Sequence, residues 1–112
     1  MSVVLELFQT EWCLASRRVR QKLTELEVDY LVRQVPADPA KRSELLSATG
    51  FDTVPVLVPE DGSPLVGEDV ILRYLDEHYE EPAGAWAHRA RAKKARRRYL
   101  EKECECTQPA TR

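Results

Sequence analysis

Val3-Val4-Leu5-Glu6-Leu7-Phe8 is followed, two residues later, by Glu11-Trp12-Cys13-Leu14-Ala15-Ser16. The first run is apolar and short, as a strand is. The second opens a helical pattern, with Val19, Leu23 and Leu26 on one side and Arg17, Arg18, Arg20 and Lys22 mostly elsewhere. A cysteine therefore stands where a strand turns into a helix. A helix N-terminus presents unpaired N–H groups and a partial positive charge. Both favour thiolate over thiol, so Cys13 is a candidate nucleophile near neutral pH. Ser16, three residues on, is placed to offer a hydroxyl to the sulfur. The alternative reading of Cys13 is a small buried apolar residue.

A second stretch, Gly50-Phe51-Asp52-Thr53-Val54-Pro55-Val56-Leu57-Val58, reads as a turn and then a strand opened by proline. Proline is tolerated at a strand start because only one donor is lost. A cis Val54–Pro55 bond would turn the preceding carbonyl and N–H outward, where an extended peptide can pair with them. The other reading is a trans proline at a sheet edge.

Around these stretches strands and helices alternate. The expected strands are Val3–Phe8, Asp29–Val35 (with Tyr30, Val32 and Val35), Pro55–Val58 and Pro64–Val66. A turn at Glu60-Asp61-Gly62-Ser63 joins the last two. The expected helices are Cys13–Glu27, Pro39–Ala48 and Gly67–Tyr79, the last with Val70, Ile71, Tyr74 and Leu75 inward. One more runs from Ala85 to about Glu103, rich in Ala and Arg. The order βαβα then ββα predicts a parallel unit followed by a hairpin in one mixed sheet, an α/β fold.

The motifs in this order resemble the glutaredoxins, and equally the thioredoxin-like N-terminal domain of glutathione transferases. The similarity rests on Cys13-x-x-Ser16 at a strand-to-helix junction, Thr53-Val54-Pro55 before a strand, and Gly67-Glu68-Asp69 opening a helix. It runs from about Val3 to Tyr79, and it implies a thioredoxin-like, four-stranded mixed sheet with flanking helices. Residues 1–81 form that domain in this reading, and residues 82–112 a basic C-terminal helix and tail. A transferase would continue into a bundle of several helices. The chain has room for one, and is expected to be a stand-alone protein of glutaredoxin size.

The resemblance implies a monothiol thiol–disulfide oxidoreductase. Cys13 attacks a mixed disulfide of glutathione; with serine at 16 there is no neighbouring resolving thiol, so a second glutathione must regenerate the cysteine. The co-substrate is glutathione or another low-molecular-weight thiol, and the partners are glutathionylated proteins or small disulfides. The resemblance assigns the cysteinyl backbone of glutathione to Val54 beside Pro55, with Trp12 and Thr53 at the site. It assigns the γ-glutamyl end to Glu68 and Asp69 and the glycine carboxylate to Arg42. On their own, Glu68 and Asp69 read as ordinary charge complementarity at a helix start, and Arg42 as part of a solvated helix face. The alternative function is a glutathione-binding, transferase-like module without turnover, acting as a sensor or interaction domain.

This chain departs from the glutaredoxin pattern at several positions. Thr10 stands where a lysine is usual, Leu14 where a proline is usual, and Trp12 where a tyrosine is usual. Glu68 replaces the second glycine of a pair. Glu11 adds negative charge, which is expected to raise the Cys13 pKa. An iron–sulfur carrier is disfavoured because Leu14-Ala15 does not match the Cys-Gly-Phe-Ser site of such relatives.

The 112 residues suffice for one compact domain, and 43% hydrophobic with 32% charged residues is a soluble composition. No apolar run approaches the roughly 20 residues of a membrane helix. No basic leader opens the chain, so no signal peptide is expected. Three cysteines, one early and two in Cys104-Glu105-Cys106, do not make a disulfide scaffold, and a reducing cytoplasmic compartment is expected. The tail pair lacks the further ligands of a metal site, and no metal is expected. His78 and His88 read as surface residues.

The net charge of −2 conceals an asymmetry. Residues 1–81 carry 8 Lys/Arg against 16 Asp/Glu, and residues 82–112 carry 9 against 3. The basic run Lys93-Lys94-Ala95-Arg96-Arg97-Arg98 reads first as a solvated helix face. The second reading is contact with an anion or nucleic acid, with only Tyr99 as an aromatic beside the run, and nucleic acid is not expected as a partner. Salt-bridging onto the acidic domain is a third reading.

Overall fold

The computed structural model describes residues 4–101. Strand β1 is Leu5–Gln9, helix α1 Leu14–Glu25 and strand β2 Tyr30–Gln34. Helix α2 is Ser43–Thr49, preceded by a single 3₁₀ turn at Pro39–Lys41. Strands β3 (Val56–Val58) and β4 (Leu65–Val66) form a hairpin, followed by α3 (Glu68–His78) and α4 (Ala85–Glu101). The sheet order is β2-β1-β3-β4. β1 runs parallel to β2, with Leu5 opposite Tyr30, and antiparallel to β3, with Leu7 opposite Leu57. This is the mixed sheet that the element order implies, in the thioredoxin-like form that the resemblance implies.

The two-residue period of a strand divides the core. Leu5, Leu7 and Leu57 point to one face and pack with Val19, Leu23 and Leu26 of the α1 region and Ile71 and Leu75 of α3. Phe8, Val56 and Val58 point to the other face, where Val35 and Leu45 cover them. At roughly 25 cal/mol per Å² of apolar area removed from water, these two clusters supply the main drive to fold.

The helix expected over Pro39–Ala48 is instead two pieces. Arg42 breaks it with φ −97° and ψ 45°, a conformation that lets its side chain turn inward. The helix expected to run to Glu27 ends at Glu25; Leu26 closes it and Glu27 adopts a left-handed φ of 57°. Two apolar residues lie outside, Val32 and Val70, the second of them expected inward. Val32 sits on the edge strand β2, where only the first residue is part-buried. Val70 is 43% exposed, because Ile71 and Leu75 carry the buried stripe of α3.

Charged pairs join helix α4 to the end of α1 and the residues beside it. Arg89 donates from Nε and Nη2 to the buried Glu25 carboxylate at 3.2 and 3.1 Å, and from Nη2 to Glu81 at 2.6 Å. His88 pairs with Glu27 at 3.3 Å, so it is not a bare surface histidine. The first turns of the basic helix thus meet the acidic domain, while Arg91, Lys93, Lys94 and Arg96 are exposed. Cys104 and Cys106 lie outside the described residues. No described helix is long and apolar enough to cross a membrane.

Candidate functional site

Cys13 is the N-cap of α1. Its backbone is extended (φ −75°, ψ 122°), and its sulfur accepts the Ser16 N–H at 3.4 Å, the bond that a serine or aspartate oxygen makes in most helix caps. The cysteine is part-exposed, so the sulfur is both capped and reachable. Partial burial pushes its pKa up. The Ser16 hydroxyl and amide, the Ala15 amide and the Thr10 hydroxyl pull it down and prevail, leaving it below that of an ordinary cysteine.

The expected acidic influence of Glu11 is absent. Its carboxylate is exposed and pairs with Arg20 Nη2 at 3.5 Å, and it is not among the causes of the Cys13 shift. Arg20 is held in turn by the side chain of buried Gln9, which also bonds Gln34 at 3.1 Å. Thr10, expected only as a missing lysine, is buried at 3% exposure. A lysine placed there would lose the solvent its charge needs.

The 50–55 loop leads into β3. The Val54–Pro55 bond is cis. Among the described residues, no hydrogen bond within the chain engages the Val54 amide or carbonyl. Val54 is half-buried, Pro55 buried and Thr53 exposed. The Pro55 carbonyl accepts the Gly67 N–H at 3.0 Å, which ties this loop to the start of α3. There Glu68 is held by Arg18, whose Nη1 reaches both carboxylate oxygens at 3.0 and 3.2 Å. Asp69 is exposed. Trp12 and Leu14 flank Cys13 with 70% and 56% exposure.

Arg42 departs from both of its sequence readings. It is 7% exposed, not on a solvated face. Its Nε donates to the Pro36 carbonyl at 2.8 Å, Nη1 to Asp52 at 2.9 Å and Nη2 to Ala37 at 3.1 Å. With all three nitrogens engaged by carbonyls, it positions the loop before Pro55 rather than offering a free fork to a glycine carboxylate.

The comparisons with known proteins fit this arrangement. The family model described as glutathione S-transferase, N-terminal domain, matches residues 7–83. The chain belongs to that family. Among solved structures, the glutathione S-transferase of Sinorhizobium meliloti 1021 is 29% identical with a TM-score of 0.59, over 67% of this chain and 32% of that one. A diazinon-metabolizing glutathione S-transferase of the silkworm Bombyx mori is 30% identical with a TM-score of 0.61, over 70% and 39%. Glutaredoxin 2 of Salmonella typhimurium, solved in complex with glutathione, shares the fold at a TM-score of 0.60 and 19% identity, over 67% and 34%. The chain thus spans about a third to two-fifths of the length of these structures. No curated protein matches it.

Within the transferase N-terminal domain family frame, the structure gathers Cys13, Ser16 and Thr10 at the head of α1, and links Pro55, Gly67, Glu68 and Arg18 through the α3 start. Sequence reasoning missed Arg18, Gln9 and the part played by Thr10. Gln9 was readable, since the alternation Leu5, Leu7, Gln9 puts a polar side chain on the buried face. Nothing in the sequence pairs Arg18 with Glu68, 50 positions away.

Proposed function

We propose that this chain is a glutathione-dependent thiol–disulfide oxidoreductase that works through Cys13. The observation that carries it is a part-exposed cysteine capping α1, with its pKa held below the ordinary value by hydroxyls and amides. The Cys13 thiolate attacks the glutathione sulfur of a mixed disulfide. A Cys13–glutathione disulfide forms, the substrate sulfur leaves as thiolate and takes a proton from water. A second glutathione thiolate then attacks that disulfide, releasing oxidised glutathione and restoring the Cys13 thiolate. The net exchange takes one mixed disulfide and one glutathione thiol to oxidised glutathione and the free substrate thiol, with no other oxidant or reductant.

The Val54 amide and carbonyl supply a place for the peptide backbone of glutathione, as a strand edge does. The unpaired N–H groups at the start of α3, with Arg18 beside Glu68, suit the γ-glutamyl carboxylate. Glutathione complexes among the structural neighbours support this reading. A reducing cytoplasmic setting agrees with a free Cys13.

The test is reduction of a glutathione mixed disulfide with a small thiol, followed by release of oxidised glutathione. The intact chain is expected to turn over, Cys13→Ser to be inactive, and Cys104→Ser with Cys106→Ser to keep most activity. Undiminished activity in Cys13→Ser would reject the assignment. Binding of glutathione without turnover in the intact chain would favour the sensor or interaction module instead.

A further inference from the structure

We infer that Thr10 is a positioning residue for the Cys13 thiolate, and that a cage of neutral hydroxyls replaces a cation at this site. This rests on the disulfide chemistry proposed above and names the groups that tune it. Thr10 and Ser16 are 3% and 0% exposed, and their hydroxyl oxygens are the buried side-chain atoms without any hydrogen-bond partner among the described residues. A native fold rarely leaves such groups unpaired without a reason. Both flank the same sulfur from opposite sides in sequence. Thr10 is the last residue before the turn that the Cys13 N–H closes onto the Thr10 carbonyl at 3.3 Å, and Ser16 is in the first turn of α1.

Cys13 is tied to both residues, its N–H to the Thr10 carbonyl at 3.3 Å and its sulfur to the Ser16 N–H at 3.4 Å, and both hydroxyls pull its pKa down. A thiol is a weak acceptor, and the hydroxyls stay unpaired beside it; a thiolate is a strong one, and they donate to it. The charged groups on surrounding elements are paired with one another or exposed. Glu11 pairs with Arg20 and Glu68 with Arg18, while Arg17 on α1 and Asp69 on α3 are exposed. No charged group contributes to the shift of Cys13. Stabilisation by hydroxyls also predicts an unusual salt response, because a dipole in contact is not screened as a surface charge is.

The experiment is the rate of Cys13 alkylation by iodoacetamide against pH, in a chain carrying Cys104→Ser and Cys106→Ser, at low and high salt. In Thr10→Val, which keeps the shape and removes the hydroxyl, the Cys13 pKa should rise by roughly half a unit to one unit, about three- to tenfold less thiolate at neutral pH. Thr10→Ser should restore it. The thermal midpoint of Thr10→Val should be unchanged or higher, since an unpaired buried hydroxyl is removed. The Cys13 pKa of the parent should not move with salt. An unchanged pKa in Thr10→Val, or a pKa that climbs steeply with salt, overturns the hydroxyl cage. Alkylation needs no glutathione, so that result would leave mixed-disulfide turnover to be judged separately.

Discussion

Arg18 on α1 holds both oxygens of Glu68, the first residue of α3, from a single nitrogen at 3.0 and 3.2 Å. The pair joins the helix that carries Cys13 to the helix that opens beside Pro55. Arg18 is half exposed and Glu68 less so. An exposed pair of this kind contributes under about 1 kcal/mol to stability. Arg18→Ala is therefore expected to shift the unfolding midpoint little. It should weaken glutathione binding severalfold, because Glu68 then stands unneutralised where a carboxylate must be received. Thermal unfolding checks the first half and calorimetric titration with glutathione the second; unchanged affinity would remove the α3 start from the site.

For Cys13 the pH dependence follows from the direction of its shift. The folded pKa lies below the unfolded one. Between the two values the unfolded chain binds more protons, so stability rises with pH across that window. The contribution is fully present above the unfolded pKa and is lost as pH falls through the folded value. Alkylation of Cys13 should reach half its maximum at a lower pH than in the urea-unfolded chain. Equal midpoints would contradict the shift.

Arg42→Ala should be the most damaging single truncation near the site. It leaves the carbonyls of Pro36, Ala37 and Asp52 without their donors. Hydrogen bonds from a charged group contribute about 1.5–3 kcal/mol each, and with water re-entering we expect a net loss of about 3 kcal/mol. Arg42→Lys should recover little, since an ammonium cannot reach three carbonyls with a planar fork. Urea unfolding measures the loss. A lysine variant as stable as the parent would show that only the charge matters.

Gly67→Ala is expected to destabilise by about 1–3 kcal/mol although open space surrounds the position. Its φ of 96° and ψ of 150° suit glycine alone. Its N–H also holds the Pro55 carbonyl, so glutathione binding should fall together with stability. Urea unfolding and glutathione titration of the same variant test the coupling; loss of stability with full affinity would separate the turn from the site.

The sheet was legible because its signals are local. The apolar run at Leu5–Phe8, the turn at Asp61-Gly62 and the buried stripe of α3 each follow from a period or a turn residue within a few positions. Cys13 at the head of α1 was legible for the same reason, as a strand pattern gives way to a helical one at that point. The end of α1, the break at Arg42 and the exposure of Val70 were not, because each depends on what packs against the element.

The amino-acid sequence alone determined the order of strands and helices, the mixed α/β sheet and the place of Cys13 at a strand-to-helix junction. Those depend on spacing, and spacing is carried by the chain itself. Only the tertiary structure decided how the surrounding groups are used: that Arg42 faces inward to three carbonyls, that Glu11 is drawn to Arg20 and Glu68 to Arg18, and that the Thr10 and Ser16 hydroxyls are left unpaired beside the sulfur. Charge and hydrogen bonding act over a few ångströms of space, and residues far apart in sequence reach that distance only after the sheet has closed.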